Sequence, residues 1–258
     1  MICNPPYLER TAPVFSDHCV LQLWRIFSHL AELVEDEEGR LEVALAASEV
    51  EIIAKQLMAG LGRSEDWDPE EFDCVVSVIP AFKFSIFLAV IESKYAINND
   101  NDTLEEAVKE LHDYFILDVI KKGKIKKLMD YFPMYREHWI VIQPRKITLY
   151  SNYQEKVKRG EIKLDHQCRL ETSQSESSKA SLKQKPHTFF LHANQKKYEF
   201  QASSHRNRLE WMGALSKAVD HSGSQERYQL DLAKQRRLHR EEELVRRLSH
   251  MDIVEKTK

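Results

Sequence analysis

The sequence predicts an α+β chain: a helical first half, then a small barrel of short strands closed by one helix, then a charged helical tail. Three patterns carry this. Apolar residues recur at helical spacing up to about residue 119, cluster in short β-rich runs from Ile125 to Phe200, and return to helical spacing around Trp211. With 258 residues, 42% hydrophobic and 31% charged, the chain can bury a core in one or two domains and is neither fibrous nor wholly disordered.

Val20, Leu23, Trp24, Phe27 and Leu30 follow a Ser16/Asp17 start and predict an amphipathic helix over 17–29. The spacing repeats over 45–61, ending at Gly60 and Gly62, and again over 82–95. A fourth helix, 103–119, opens with Thr103 and Glu106 in capping-box spacing. The first half is therefore expected to be all helical. Beyond it, the runs at Ile125, 139–142, 147–150, 162–164, 168–170, 189–191 and 198–200 are separated by polar turns and read as seven strands. Residues 172–186, polar and serine-rich, read as a mobile loop joining two neighbouring strands. From about Ser204, Trp211, Leu215 and Ala218 form one helix face able to close the open end of the barrel. In the tail, Leu238, Val245 and Leu248 make barely two heptads, the first turns of a longer helix.

Charge is divided unevenly. Residues 1–118 hold 8 Lys and Arg against 24 Asp and Glu, whereas residues 119–258 hold 30 against 17. The basic half attracts phosphates or anionic membrane, and the acidic half is expected to fold back as an internal competitor covering it. Cys3, Cys19, Cys74 and Cys168 form no C-x-x-C pair and no secretory leader is evident, so a reducing cytoplasmic setting is expected. The longest apolar stretch, 74–91, is interrupted by Pro80 and Lys83, which leaves only peripheral membrane contact.

Catalytic signatures are missing from the sequence. It has seven glycines and no phosphate loop, H-E-x-x-H or nucleophile elbow, so neither an enzyme nor a cofactor is expected. His18 and Cys19, adjacent on a helix, point different ways and make no nucleophilic pair. Placing Gly39 at the sixth position of a calcium loop puts Val34 and Leu45 at the first and twelfth, where oxygen ligands are needed, so 34–45 reads as an acidic turn linking helices. "KQRRLHR", 234–240, reads as a solvated helix face rather than a nucleic-acid surface, because charge alone speaks for it.

The stretches "KKGKIKKL", "REHWIVIQP", "KITLYSN", "RGEIKLD", "CRLETS", "HTFFLHA" and "KKYEFQAS", followed by "NRLEWMGALSKAV", resemble the seven strands and capping helix of a pleckstrin-homology (PH) domain. With "CVLQLWRIFSHLAE" and "FILDVIKKGKI", the chain resembles the switch-associated protein (SWAP-seventy) family and its sibling first described as differentially expressed in FDCP cells. The resemblance implies a degenerate EF-hand-like helical region over 1–96, a linking helix over 97–118, a PH domain over 119–221 and the start of a coiled coil over 222–258, with oligomerisation through a longer coiled coil.

In PH domains that grip phosphoinositides, a lysine late in the first strand and a basic-x-Arg run entering the second converge on the headgroup. Carried over, these are Lys127 and Arg136, with His138 where the family has arginine. Lys124, Lys146, Lys156 and Lys158 complete the expected phosphoinositide-binding set; Lys156, Lys158 and Arg159, in the turn between the third and fourth strands, add long-range attraction without specificity. A neutral imidazole in place of guanidinium removes a charge-assisted bond of about 1.5–3 kcal/mol, roughly tenfold or more in affinity. Glu137 costs further if it faces the ligand. In the intervening loop, Phe132 and Met134 are placed to dip into a membrane interface, while Tyr131 and Tyr135 could instead pack under their own loop.

These readings describe a non-catalytic cytosolic adaptor recruited to anionic phosphoinositide membranes, weakly or pH-dependently. The resemblance implies action on Rho/Rac-type small GTPases as an unconventional exchange factor, and association with actin. A protein-interaction scaffold without specific lipid binding remains the alternative.

Overall fold

The computed structural model describes residues 14–35, 39–79, 81–172 and 187–256. The loop expected over 172–186 lies almost wholly outside them. The chain divides into two compact units, one reaching to Leu117 and taking in the chain from Ala233 onward, the other Asp118–Leu232.

In the first unit, α1 (Asp17–Leu30) starts at Ser16, whose hydroxyl accepts from the Cys19 amide, and buries Cys19, Leu23, Ile26, Phe27 and Leu30. A hairpin follows: β1 (Glu32–Glu35) pairs antiparallel with β2 (Leu41–Ala44), Leu33 opposite Val43 and Glu35 opposite Leu41. The expectations of an all-helical first half and of a helix-linking acidic turn are both corrected here. Each strand has four residues, too few for a period of two to stand out among carboxylates, and Gly39 (φ +76°) supplies the left-handed backbone between them.

Helix α2 (Ala47–Gly60) and a short 3-10 turn (Ser64–Asp66) precede α3 (Pro69–Val78), which the apolar pattern missed because only Phe72 is buried on it. Its start signals are local: Pro69 in the first turn, and Asp68 accepting the amides of Glu70 and Glu71. Helix α4 (Phe84–Val90) runs into a π-helical turn (Ile91–Tyr95), and α5 (Asn101–Phe115) begins two residues before the expected capping box. Asp100 caps α5, taking the Thr103 amide at 2.9 Å and its hydroxyl at 2.6 Å, which holds the Asp100 carboxyl below its usual range. Leu104, Val108, Leu111 and Phe115 on α5 join Leu23, Phe27, Ile53, Leu57, Phe72 and Phe87 in one core, so α5 is an interior element of this unit.

The boundary between the units falls within α7 (Gln225–Lys256). In the helical unit, Arg236 and Arg240 lie 3.5 and 3.4 Å from the carboxylate of Glu49, whose side chain is 5% exposed, and Arg240 also reaches Glu32 at 3.3 Å. Burial pushes the Glu49 acid up, and the two guanidiniums oppose that rise. Part of the positive charge counted beyond residue 119 is therefore matched inside the helical unit.

The second unit is a seven-stranded antiparallel sheet ordered β6-β5-β4-β3-β9-β8-β7, from β3 (Lys121–Leu128), β4 (Tyr135–Gln143), β5 (Lys146–Tyr150), β6 (Lys158–Lys163), β7 (Arg169–Thr172), β8 (Thr188–Ala193) and β9 (Lys196–Gln201). Its inner face carries Ile125, Ile140, Ile142, Ile147, Leu149, Ile162, Phe189, Leu191 and Phe200, packed with Trp211, Leu215 and Ala218 of α6 (His205–Asp220). Trp211 is 1% exposed and donates its indole N–H to Asn207 at 3.1 Å, while Lys121 lies 4.9 Å from the ring centroid. Gly123 (φ +153°) lets the strand pass close beneath the indole: a Cβ there would sit 3.4 Å from the ring.

Replacing Trp211 by Ala should destabilise the sheet unit by about 3–5 kcal/mol, the usual cost of deleting a buried large aromatic. Chemical denaturation of the full chain, with hydrogen-exchange protection of the β4 and β9 amides as local reporter, measures it. Unchanged protection would show that the indole does not tie helix to sheet.

Candidate functional site

In the β3–β4 ladder Lys127 stands opposite Arg136, and Ile125 opposite His138. Cross-strand partners share a face, and so do residues two apart on one strand. Lys127, Arg136 and His138 therefore lie on the inner face, just beyond buried Ile125 and Ile140, at the end where β3 turns into β4. The apolar filling stops there and the cations begin. The Lys127 ammonium lies 2.9 Å from the Asp130 carboxylate, 3.1 Å from the Leu128 carbonyl and 5.4 Å from the Tyr198 ring centroid.

A bulge brings in a fourth group. The β5–β6 register slips after Leu149: Leu149 opposes Gly160 but Tyr150 opposes Lys158, leaving Arg159 as the extra residue. Strict alternation inward from Ile162 would put Lys158 inside and Arg159 outside; the slip reverses this. Arg159 donates to the Ser151 hydroxyl at 2.7 Å, and its charge reaches His138. Burial, and then the charges of Arg136, Lys127 and Arg159, hold the His138 imidazole below its ordinary 6.5, so it is neutral at pH 7.

The other expected site residues are placed elsewhere. Lys124 is on the outer face, opposite Trp139 and 3.8 Å from Glu137. Glu137, opposite Lys126, thus also faces outward and costs the mouth nothing directly. Lys146 pairs with Gln143 at the far end of β4. Lys158 aligns with outward Tyr150 and bonds Glu161 at 2.7 Å, and Lys156 is exposed on the β5–β6 loop. The structure therefore does not gather the expected set at one mouth: Lys124 and Lys158 lie on the other face by parity, Lys146 at the far end of the strand and Lys156 on the loop, whereas Arg159 lies beside Lys127, Arg136 and His138.

Between β3 and β4, Tyr131, Phe132 and Met134 are 92%, 65% and 60% exposed. Tyr135 is half-buried and donates to Glu199, and burial with that bond pushes its phenol well up. Of the two tyrosines, Tyr135 packs down and Tyr131 does not. Tyr153 and Val157, on the β5–β6 loop at the same end of the sheet, are also exposed. Among the described residues no three His, Cys, Asp or Glu side chains gather as metal ligands, and no helix is long and apolar enough to cross a membrane.

The PH-domain family model matches residues 114–220. That segment is a PH domain. The chain is 25% identical over 223 residues to Switch-associated protein 70 of Gallus gallus, covering 84% of this chain and 36% of that protein. It is 26% identical over 205 residues to the Differentially expressed in FDCP 6 homolog of Xenopus laevis, covering 79% and 32%. Among solved structures, the carboxyl-terminal PH domain of pleckstrin is similar at 19% identity and a TM-score of 0.33, covering 39% of this chain and 97% of that one. The chain contains this PH domain, is similar along most of its length to these two relatives, and spans about a third of their length.

The PH domain's mouth can be tested without a ligand. In a proton NMR titration of the full chain, His138 should titrate below 6.5; Arg159→Gln should move it upward and Lys146→Gln should leave it in place. No response to Arg159→Gln would remove Arg159 from the mouth.

Proposed function

We propose that this chain is a non-catalytic adaptor whose PH domain docks weakly on anionic, phosphoinositide-bearing membrane through the mouth formed by Lys127, Arg136, His138 and Arg159. The supporting observation is their convergence: three permanent cations and one titratable imidazole at one end of the sheet, from three strands. A multiply charged phosphate needs several cationic donors at once, and the planar guanidiniums of Arg136 and Arg159 suit its geometry. Exposed Tyr131, Phe132 and Met134 at the same end would enter the interfacial layer while the cations meet headgroups.

Affinity is weak at pH 7 because His138 supplies no charge there. A bound anion favours the imidazolium, so by linkage binding gains from His138 as pH falls toward its lowered pKa, below the ordinary 6.5. Phosphate monoesters lose their second charge near pH 6, which acts in the opposite direction. The useful quantity is therefore the ratio of wild-type binding to that of His138→Gln, in which the ligand's own titration cancels.

Co-sedimentation of the full chain with phosphoinositide liposomes is the test. Arg136→Gln should weaken binding about tenfold, and His138→Arg should tighten it about tenfold. Added salt should weaken all forms steeply, and the wild-type to His138→Gln ratio should rise between pH 7 and 5.5. Absence of binding at low salt and pH 6 would leave the scaffold alternative. Regulation of a Rho/Rac-type GTPase, with an actin association, is the second reading, supported by similarity over 84% of the chain to Switch-associated protein 70. It requires faster nucleotide release from a Rac-type GTPase when this chain is added, and an unchanged rate would overturn it.

A further inference from the structure

Lys127 is occupied before any ligand arrives. Its side chain is 12% exposed, and its ammonium, which has three protons to donate, already faces the Asp130 carboxylate, the Leu128 carbonyl and the Tyr198 ring. A phosphate can use Lys127 fully only where one of these yields. The carbonyl belongs to the strand and the ring to β9, whereas Asp130 sits on the β3–β4 loop with its side chain 56% exposed. Of the three partners Asp130 alone is exposed and carried on a loop, so it is the one able to swing away from the largely covered Lys127. The pairing nonetheless registers on the acid: the bond from Lys127 holds Asp130 below its usual range, with Lys196 adding to it. Glu137 and Glu161 differ, since they pair on the outer face with Lys124 and Lys158.

We propose that Asp130 is a tethered counter-anion that closes the mouth over Lys127 and must be displaced by the phosphate that binds there. The inference rests on the headgroup reading above and adds its regulation. While Asp130 is seated, only the open fraction of molecules offers all the cations, and the apparent affinity falls by that fraction. The loop that carries Asp130 also carries Tyr131, Phe132 and Met134, so release of the carboxylate and entry of the apolar tip into an interface move the same segment. A membrane, which accepts both, then opens the mouth more readily than a soluble phosphate.

The test is a double-mutant cycle in the full chain, using calorimetric binding of inositol 1,4,5-trisphosphate. Asp130→Asn keeps the size of the side chain and removes its charge. In the wild-type background it should tighten binding three- to tenfold, roughly; in a Lys127→Gln background it should gain less than about twofold, because no pair is left to break. An equal gain in both backgrounds would reduce Asp130 to a general charge effect and overturn the proposal, as would no gain in either. Binding that depends on Arg136 but ignores Asp130→Asn sinks this inference and leaves the headgroup reading standing. Failure of every form to bind sinks both. Carbon-13 titration of the Asp130 carboxyl gives a second readout: saturation with the inositol phosphate should raise its pKa, and an unmoved titration means the carboxylate was never displaced.

Discussion

The antiparallel register between β3 and β4 decides which of the five lysines on β3 can act together. Side chains alternate across a strand, so Lys127 shares a face with Ile125 and Gly123, while Lys122, Lys124 and Lys126 project to the other side. A slip of one residue would turn Ile125 outward and bring Lys124 and Lys126 against the core. Such a slip is blocked by burial: Ile125, Ile140 and Ile142 are each at most 3% exposed, and Trp211 rests against Gly123. The apolar packing that closes the sheet thus also selects the members of the cationic mouth. Stability and the grouping of the cations are set by one alignment.

Much of this was legible from residue order. Short β-rich runs between polar turns marked all seven strands of the sheet unit, and the helix carrying Trp211 declared itself by spacing from about Ser204, the residue that caps it. Lys127 and Arg136 were legible as partners through the resemblance to phosphoinositide-gripping PH domains, and the β3–β4 ladder sets them opposite each other. Arg159 was not, because a bulge is a property of backbone pairing: nothing in "KVKRGEIK" announces that Tyr150 will align with Lys158. The β1–β2 hairpin was hidden for another reason. Its four-residue strands contain carboxylates at Glu32, Glu35 and Glu42, which favour solvent, so composition masked a ladder formed by backbone bonds. Helix α3 shows the same limit, since a helix with one buried residue leaves no apolar stripe to read.

Charge summed over halves of the chain was a poorer guide than charge in place. Arg236 and Arg240 belong to the basic half by sequence, yet they meet Glu49 and Glu32 within the helical unit. Glu49 illustrates why such contacts are specific: a carboxylate 5% exposed is costly unless paired, and two guanidiniums approach it within 3.5 Å. Coulomb attraction between whole regions falls off within a Debye length of about 8 Å at physiological salt. A count over 118 residues therefore says less than one buried acid and the side chains that face it.

The same reasoning sets the character of the mouth. Three cations held near one another repel, and the cost appears where a group can shed its proton: at His138, kept neutral by burial and by Arg136, Lys127 and Arg159. A guanidinium at that position could not respond in this way, because it stays charged throughout the accessible pH range. Histidine lets the empty mouth lower its own repulsion and regain a positive charge when an anion enters. Asp130 relieves the same repulsion from the other side by lending a negative charge to Lys127. Both devices stabilise the unliganded mouth, and on the proposed reading both are undone by an incoming phosphate. A site built this way would hold phosphate only where the gain exceeds the loss of its internal neutralisation, and a densely charged membrane surface is where that gain would be largest.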